Sequence, residues 1–72
     1  MKKITKMINQ DLLNKNLIDT KDILNSLQIS QSTWALLQSK GKVSIKTLKK
    51  ISIITKRPLI DYLDFLDEKD EG

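Results

Sequence analysis

Cysteine and histidine are both absent from this 72-residue sequence. Their absence excludes disulfide bonds, zinc sites built from these side chains, cysteine nucleophiles and the commonest general base of enzymes. The sequence has two glycines and one proline, and it contains no glycine-rich phosphate-binding loop. Its carboxylates cluster near the C-terminus, away from any nucleophile–base pair. We therefore expect a protein that is not an enzyme and that needs neither a cofactor nor a metal ion.

Long apolar runs are also absent. No stretch approaches the roughly eighteen consecutive apolar residues that a membrane span requires, and the N-terminus does not resemble a signal peptide. A chain of 72 residues is long enough for one domain with a small core. Residues 1–66 are therefore predicted to form a single cytoplasmic, all-helical domain.

Positive and negative charges are separated along the chain. Residues 1–60 carry twelve Lys or Arg against three Asp, a net of +9, whereas residues 61–72 carry six Asp or Glu against one Lys, a net of −5. Seven of the basic residues lie between positions 40 and 57, where no acidic residue occurs. The basic part of the chain favours binding to an anionic partner, above all nucleic acid. The alternative is that these lysines only form a solvated surface without a partner. Residues 67–72 lack apolar side chains and are predicted to be a disordered acidic tail.

Apolar residues at helical spacing predict a first helix from about Ile4 to about Asn14. Residues 20–41 then predict two short amphipathic helices, separated by a tight turn at residues 28–30. Asp19 and Ser30 are suitable N-caps for these two helices. Because so short a turn prevents the helices from lying parallel, they are expected to cross and bury their apolar faces together. The residues on those faces are Ile23, Leu24, Leu27, Trp34 and Leu37.

Two further helices complete the chain. Gly41 is suited to end the third helix, Ser44 to cap the fourth, and Pro58 to occupy the first turn of the fifth. The predicted core residues of the fourth helix are Ile45, Leu48, Ile51 and Ile54. Those available from the fifth are Leu59, Ile60, Leu63 and Leu66.

The segment LQISQSTWALLQSKGKVSIKTLKKI, residues 27–51, resembles the helix-turn-helix of Cro/CI-type phage and mobile-element regulators. The resemblance extends over about residues 17–66 and implies a compact five-helix domain of the lambda-repressor type, with the motif at about residues 20–39. The family usually has alanine, glycine, and isoleucine or valine where this chain has Leu24, Gln28 and Trp34. These differences weaken the expectation that the third helix recognises DNA bases more than they weaken the expectation of the fold.

The resemblance also assigns residues to the binding surface. Gln31 lies near the start of the recognition helix, and its amide could pair with adenine, whereas the aliphatic Leu36 suits a protein surface better. The expected partner or base contacts on this helix are Gln31, Ser32, Ala35 and Leu36. Thr20 would abut a phosphate at the start of the second helix. The remaining expected phosphate or loop contacts are Lys40, Lys42, Ser44 and Lys46.

In size, fold and lysine content the chain resembles the modulator-of-repression proteins, antirepressors of temperate phages of low-GC Gram-positive hosts. This resemblance implies a regulator of a lysis–lysogeny switch that binds the N-terminal domain of a CI-type repressor, aided by contact with double-stranded DNA. The alternative is a Cro-like repressor that binds operator DNA through its third helix. Leu36 favours the antirepressor. The fifth helix has more apolar residues than one core-facing side can bury, which in this family is typical of a homodimer surface.

Overall fold

The computed structural model describes residues 2–66, and the regular structure within this range is entirely α-helical. Five helices follow one another: α1 (Lys3–Asn14), α2 (Thr20–Leu27), α3 (Gln31–Lys40), α4 (Ile45–Thr55) and α5 (Leu59–Leu66). The prediction of an all-helical chain with five helices is confirmed. None of these helices has the length and apolar character needed to cross a membrane. The predicted acidic tail, residues 67–72, lies outside the described residues.

Polar side chains begin three of the helices, as predicted. Asp19, Ser30 and Ser44 each accept a hydrogen bond from a backbone N–H two or three residues further along the chain, at 3.0, 3.2 and 3.1 Å respectively. Each bond satisfies a donor that has no acceptor inside its own helix. The starts of α2, α3 and α4 are therefore determined locally.

Residues in the left-handed conformation end the same three helices. Gly41 follows α3 with φ +67°, while Gln28 and Lys56 follow α2 and α4 with φ +54° and +62°. Gln28 thus has a positive φ at the position where the family usually has glycine, and this conformation costs roughly 1–2 kcal/mol for a residue with a Cβ atom. Lys50 Nζ donates to the Gln28 carbonyl oxygen at 3.4 Å, which connects this turn to α4.

The core forms where α1, α4 and α5 pack together, and α2 packs against α4. All five helices contribute to it, with Ile4, Ile8, Leu12, Ile23, Leu27, Leu37, Leu48, Ile51 and Tyr62 buried. Of the six residues predicted to share one core, Leu27, Leu37, Leu48 and Ile51 are buried in it, whereas Leu24 and Trp34 are not fully buried. Trp34 is only partly buried and packs against this core from one side.

Three residues predicted to be in the core are neither buried in it nor packed against it. Ile45 and Ile60 are 52% and 61% exposed, and Leu24 is only half-buried. In α4 the buried side is centred on Leu48 and Ile51, and Ile45 lies roughly a quarter of a turn away from it at 100° per residue. In α5 the fully buried residue is Tyr62, which points the opposite side of the helix, including Ile60, to solvent.

Candidate interaction surface on the third helix

The first turn of α3 presents polar side chains to solvent. Gln31 and Ser32 are both exposed, as the sequence predicts for residues that contact a partner. The Ser32 hydroxyl lies 3.1 Å from that of Ser30, however, and the Ser30 hydroxyl also lies 2.9 Å from that of Thr33. The Ser32 hydroxyl therefore takes part in the helix cap, and the Gln31 amide is the more accessible hydrogen-bonding group of this turn.

One turn further along, the outward face of α3 is apolar. Ala35 is exposed, and Leu36 is 49% exposed despite its large aliphatic side chain. The neighbouring Leu37 is buried, and its carbonyl oxygen accepts a hydrogen bond from Thr5 Oγ1 at 2.8 Å. Because Leu37 is held in the core and bonded to α1, α3 cannot rotate to bury Leu36.

The chain reverses after α3 and returns to Leu36. Gly41 makes the reversal with its positive φ, and a Cβ atom at this position would lie only 2.5 Å from the Lys2 side chain. The Lys42 N–H then donates to the Leu36 carbonyl oxygen at 3.4 Å. This arrangement places Lys42 and Val43 beside the exposed Leu36.

An open groove of about 390 Å³ results from this reversal. It is lined by Thr33, Leu36, Lys42, Val43, Ser44 and Thr47. Leu36 and Val43 supply its large apolar side chains, and the other residues supply hydroxyl groups and one ammonium group. The structure thus brings together Leu36, Lys42 and Ser44, which the sequence assigns to two different kinds of contact.

The start of α4 forms the other edge of the groove. Ser44 Oγ donates to Thr47 Oγ1 at 3.0 Å and accepts from the Thr47 N–H, so its hydroxyl is occupied by the helix cap. Lys40, Lys42 and Lys46 are all exposed around this turn. The positive charge predicted for the loop is therefore available to a partner, whereas the Ser44 hydroxyl already has partners within the chain.

Thr20 lies elsewhere. It lines a second groove of about 260 Å³ between α1, α2 and α3, together with the linker residues Leu17 and Ile18 and with Trp34 of α3. At the edge of this groove the Asn9 and Gln38 amides exchange two hydrogen bonds of 2.9 and 2.8 Å. The structure therefore does not join Thr20 to the groove beside Leu36.

Arg57 belongs to a partly buried polar cluster, although the sequence places it in the basic stretch. Its Nε and Nη2 donate to the two oxygens of Asp11 at 2.5 and 3.0 Å. The Tyr62 hydroxyl donates to Asp11 Oδ2 at 2.7 Å and lies 2.8 Å from the Thr55 hydroxyl. These groups satisfy one another and join α1 to the end of α4 and to α5, so we assign the cluster to stability.

The same contacts perturb the acid–base behaviour of the cluster. Burial raises the pKa of the Asp11 carboxyl, but hydrogen bonds from Arg57 and Tyr62 and the charge of Arg57 outweigh it, so the pKa lies below its ordinary value. Burial, together with the Asp11 carboxylate as acceptor and neighbour, raises the pKa of Tyr62 to about 12. Hydrogen bonding to Asp11 raises the pKa of Arg57, which is therefore charged throughout the accessible pH range.

Sequence analysis did not assign three residues that line the groove beside Leu36, namely Thr33, Val43 and Thr47. A signal for Val43 was present, because an apolar residue directly before the Ser44 cap occupies the first position of a hydrophobic staple. Thr33 and Thr47 are the third residues of their helices and donate their N–H groups to the capping serines. Their position in the groove thus follows from the two caps.

No protein-family model, curated protein or solved structure matches this chain.

Proposed function

We propose that this protein is a regulator of the Cro/CI type that antagonises a CI-type phage repressor by binding it directly through the outward face of α3. The observation that carries this proposal is the half-exposed Leu36, held outward beside Val43 in an open groove. Burying such a leucine in a protein interface is favourable by about 1.5–3 kcal/mol when burial is complete. An aliphatic side chain gains much less in a hydrated DNA groove.

The arrangement of α2 and α3 supports the Cro/CI-type fold within this proposal. The two short helices are joined by residues 28–30, and their apolar residues Ile23, Leu27 and Leu37 enter one core. In this fold α3 is the recognition helix, and its outward residues meet the partner. We propose a cytoplasmic, non-enzymatic protein whose partner is the N-terminal domain of the repressor, with DNA contact as an aid.

A Cro-like operator-binding protein is the second candidate, and a specific observation supports it. Gln31 is exposed at the first residue of α3, where its amide could read an adenine, and Lys40 and Lys46 are exposed around the turn after α3 for phosphate contact. Two features weigh against it: the aliphatic Leu36 is exposed in the next outward turn, and the Ser32 hydroxyl is engaged in the cap.

Two variants on α3 separate these candidates when each is measured against operator DNA and against a purified CI-type repressor from the same genome. If the protein is an antirepressor, Leu36→Glu should abolish repressor binding, because complex formation would bury an unpaired charge. In that case Gln31→Ala should have only a small effect on repressor binding. If it is Cro-like, Gln31→Ala should weaken operator binding by about 1–3 kcal/mol.

Leu13→Glu is the matched control for Leu36→Glu. Leu13 is 48% exposed on α1, almost the same as Leu36, but it lines the groove of Thr20 and not the groove beside Leu36. Normal repressor binding by Leu36→Glu, together with loss of operator affinity in Gln31→Ala, would reject the antirepressor in favour of the Cro-like protein.

A further inference from the structure

The surface formed by α3, α4 and the loop between them carries charge of one sign. No Asp or Glu occurs between Asp22 and Asp61, whereas seven of the thirteen Lys and Arg residues lie there. Arg57 is paired with Asp11, and Lys50 contacts the Gln28 carbonyl. Lys40, Lys42, Lys46, Lys49 and Lys56 are exposed.

The groove beside Leu36 lies within this positive surface. Lys42 lines the groove, Lys40 is two residues before Lys42 in the chain, and Lys46 directly precedes the lining residue Thr47. The groove therefore combines the apolar side chains of Leu36 and Val43 with the ammonium group of Lys42, and two further exposed lysines lie close to it in the chain. A ligand that matches both features has an aliphatic group for the apolar side chains and negative charges on either side of it.

We propose that the groove binds an acidic segment of a protein partner, with an aliphatic side chain of that segment inserted between Leu36 and Val43. Carboxylates of the segment face Lys40, Lys42 and Lys46. This inference rests on the proposed function, since it defines the chemistry of the surface that α3 binds.

If the partner is a repressor, the charge of the groove restricts which side of the repressor can bind it. The surface with which a repressor contacts operator phosphates is itself positive and would be repelled by the lysines of this groove. The acidic segment therefore lies on a face of the repressor that does not contact the operator.

The probe is a short synthetic peptide with a central pair of leucines flanked on both sides by glutamates. It is titrated into the ¹⁵N-labelled full chain, and binding is followed through backbone amide chemical shifts. We expect shifts concentrated at Thr33, Leu36, Val43 and Thr47. Replacing the leucines of the peptide by serines should weaken binding about tenfold, because apolar burial is lost. Replacing its glutamates by glutamines should remove the dependence on salt.

Two variants of the protein test the two features of the groove separately. Leu36→Ser should weaken peptide binding about tenfold, and the matched variant Leu13→Ser should leave it unchanged. Lys42→Glu should weaken binding and reduce its salt dependence. Lys6→Glu, which changes the net charge equally on the exposed side of α1, should have little effect.

The proposal is overturned if the peptide produces no shifts, if they cluster away from the groove, or if Leu13→Ser weakens binding as much as Leu36→Ser. It is also overturned if a DNA duplex gives the same groove shifts at lower concentration, which would identify nucleic acid as the ligand. These outcomes are distinct from failure of the proposed function. If Leu36→Glu abolishes repressor binding while the peptide does not bind, α3 remains the binding surface and only the acidic segment is rejected.

Discussion

Asn9 of α1 and Gln38 of α3 are 29 residues apart in sequence and face each other through a reciprocal pair of amide hydrogen bonds. Together with the bond from Thr5 to the Leu37 carbonyl oxygen, this pair joins α3 to α1 along one side. The opposite side of α3, with Leu36, is thereby turned toward the solvent. The position of the proposed binding surface thus depends on polar contacts as well as on the core.

Gln38→Ala should reduce the free energy of unfolding by about 1 kcal/mol, because it removes both bonds of this pair at a half-buried site. Asn9→Ala should cost a similar amount or more. The double variant should cost less than the sum of the two, since the second substitution removes a group that has already lost this partner. Urea denaturation of the four proteins measures the coupling, and strict additivity would mean that the pair does not contribute to stability.

Asp11→Asn should reduce stability at neutral pH by roughly 1.5–3 kcal/mol, the usual range for hydrogen bonds to a charged group. Asp61→Asn is the control, because Asp61 contacts Arg57 at 3.4 Å from a more exposed position and should contribute less than about 1 kcal/mol. Equal losses from the two substitutions would contradict the assignment of Asp11 as the principal partner of Arg57.

The contribution of Asp11 should disappear in acid. The folded-state pKa of Asp11 lies below its ordinary value of 3.8, so the unfolded chain takes up a proton first as the pH falls. The stabilisation is therefore complete well above pH 3.8 and is lost as the pH falls from there through the folded-state pKa. Urea midpoints of the wild type and of Asp11→Asn, measured from pH 7 to pH 2, should converge at the acid end.

Tyr62 should make the stability of the protein fall at alkaline pH, whereas Asp11 makes it fall at acid pH. Its pKa is about 12 in the folded chain against an ordinary value of 10.0, so the unfolded chain loses this proton first as the pH rises. Stability should decline between about pH 10 and pH 12 for this reason. Tyr62→Phe should be less stable than the wild type at neutral pH but lose less stability over the alkaline range. Parallel curves for the two proteins would show that Tyr62 is not responsible.

Gln28 and Gly41 occupy equivalent positions at the ends of α2 and α3, and substitutions there should change stability in opposite directions. Gly41→Ala should destabilise the protein by at least about 1 kcal/mol, because the new Cβ would meet Lys2 and the positive φ disfavours alanine. Gln28→Gly should stabilise it by a few tenths of a kcal/mol to about 1 kcal/mol, since glycine relieves the strain at φ +54° and loses some of this gain in entropy. Thermal unfolding followed by circular dichroism distinguishes the two signs.

The helix boundaries could be predicted from the sequence because their determinants are local. Ser30 and Ser44 each bond to an N–H three residues away, and Gly41 acts within its own turn. Because the interacting residues are only a few positions apart, the pattern that predicts them lies within a short segment of the sequence. The outward position of Leu36 is local in the same sense, since it follows from helical spacing relative to Leu37.

The polar contacts between helices could not be predicted in this way. Asp11 meets Arg57 and Tyr62, which are 46 and 51 residues away, and the sequence near each residue suggests only a solvent-exposed charge or a surplus aromatic. The exposure of Ile45 and Ile60 was missed for a related reason. Both residues continue an apolar pattern, but each lies away from the buried side of its own helix, which in α5 is the side of Tyr62.

The Asp11–Tyr62 hydrogen bond also bears on how the chain folds as it is synthesised. Asp11 leaves the ribosome early, within the first helix, yet its carboxylate acquires its partners only when Arg57 and Tyr62 have followed. Until then α1 lacks the helices that cover its apolar side, α4 and α5, and a helix of twelve residues is marginal on its own. The nascent chain can therefore complete its fold only after Tyr62 has emerged.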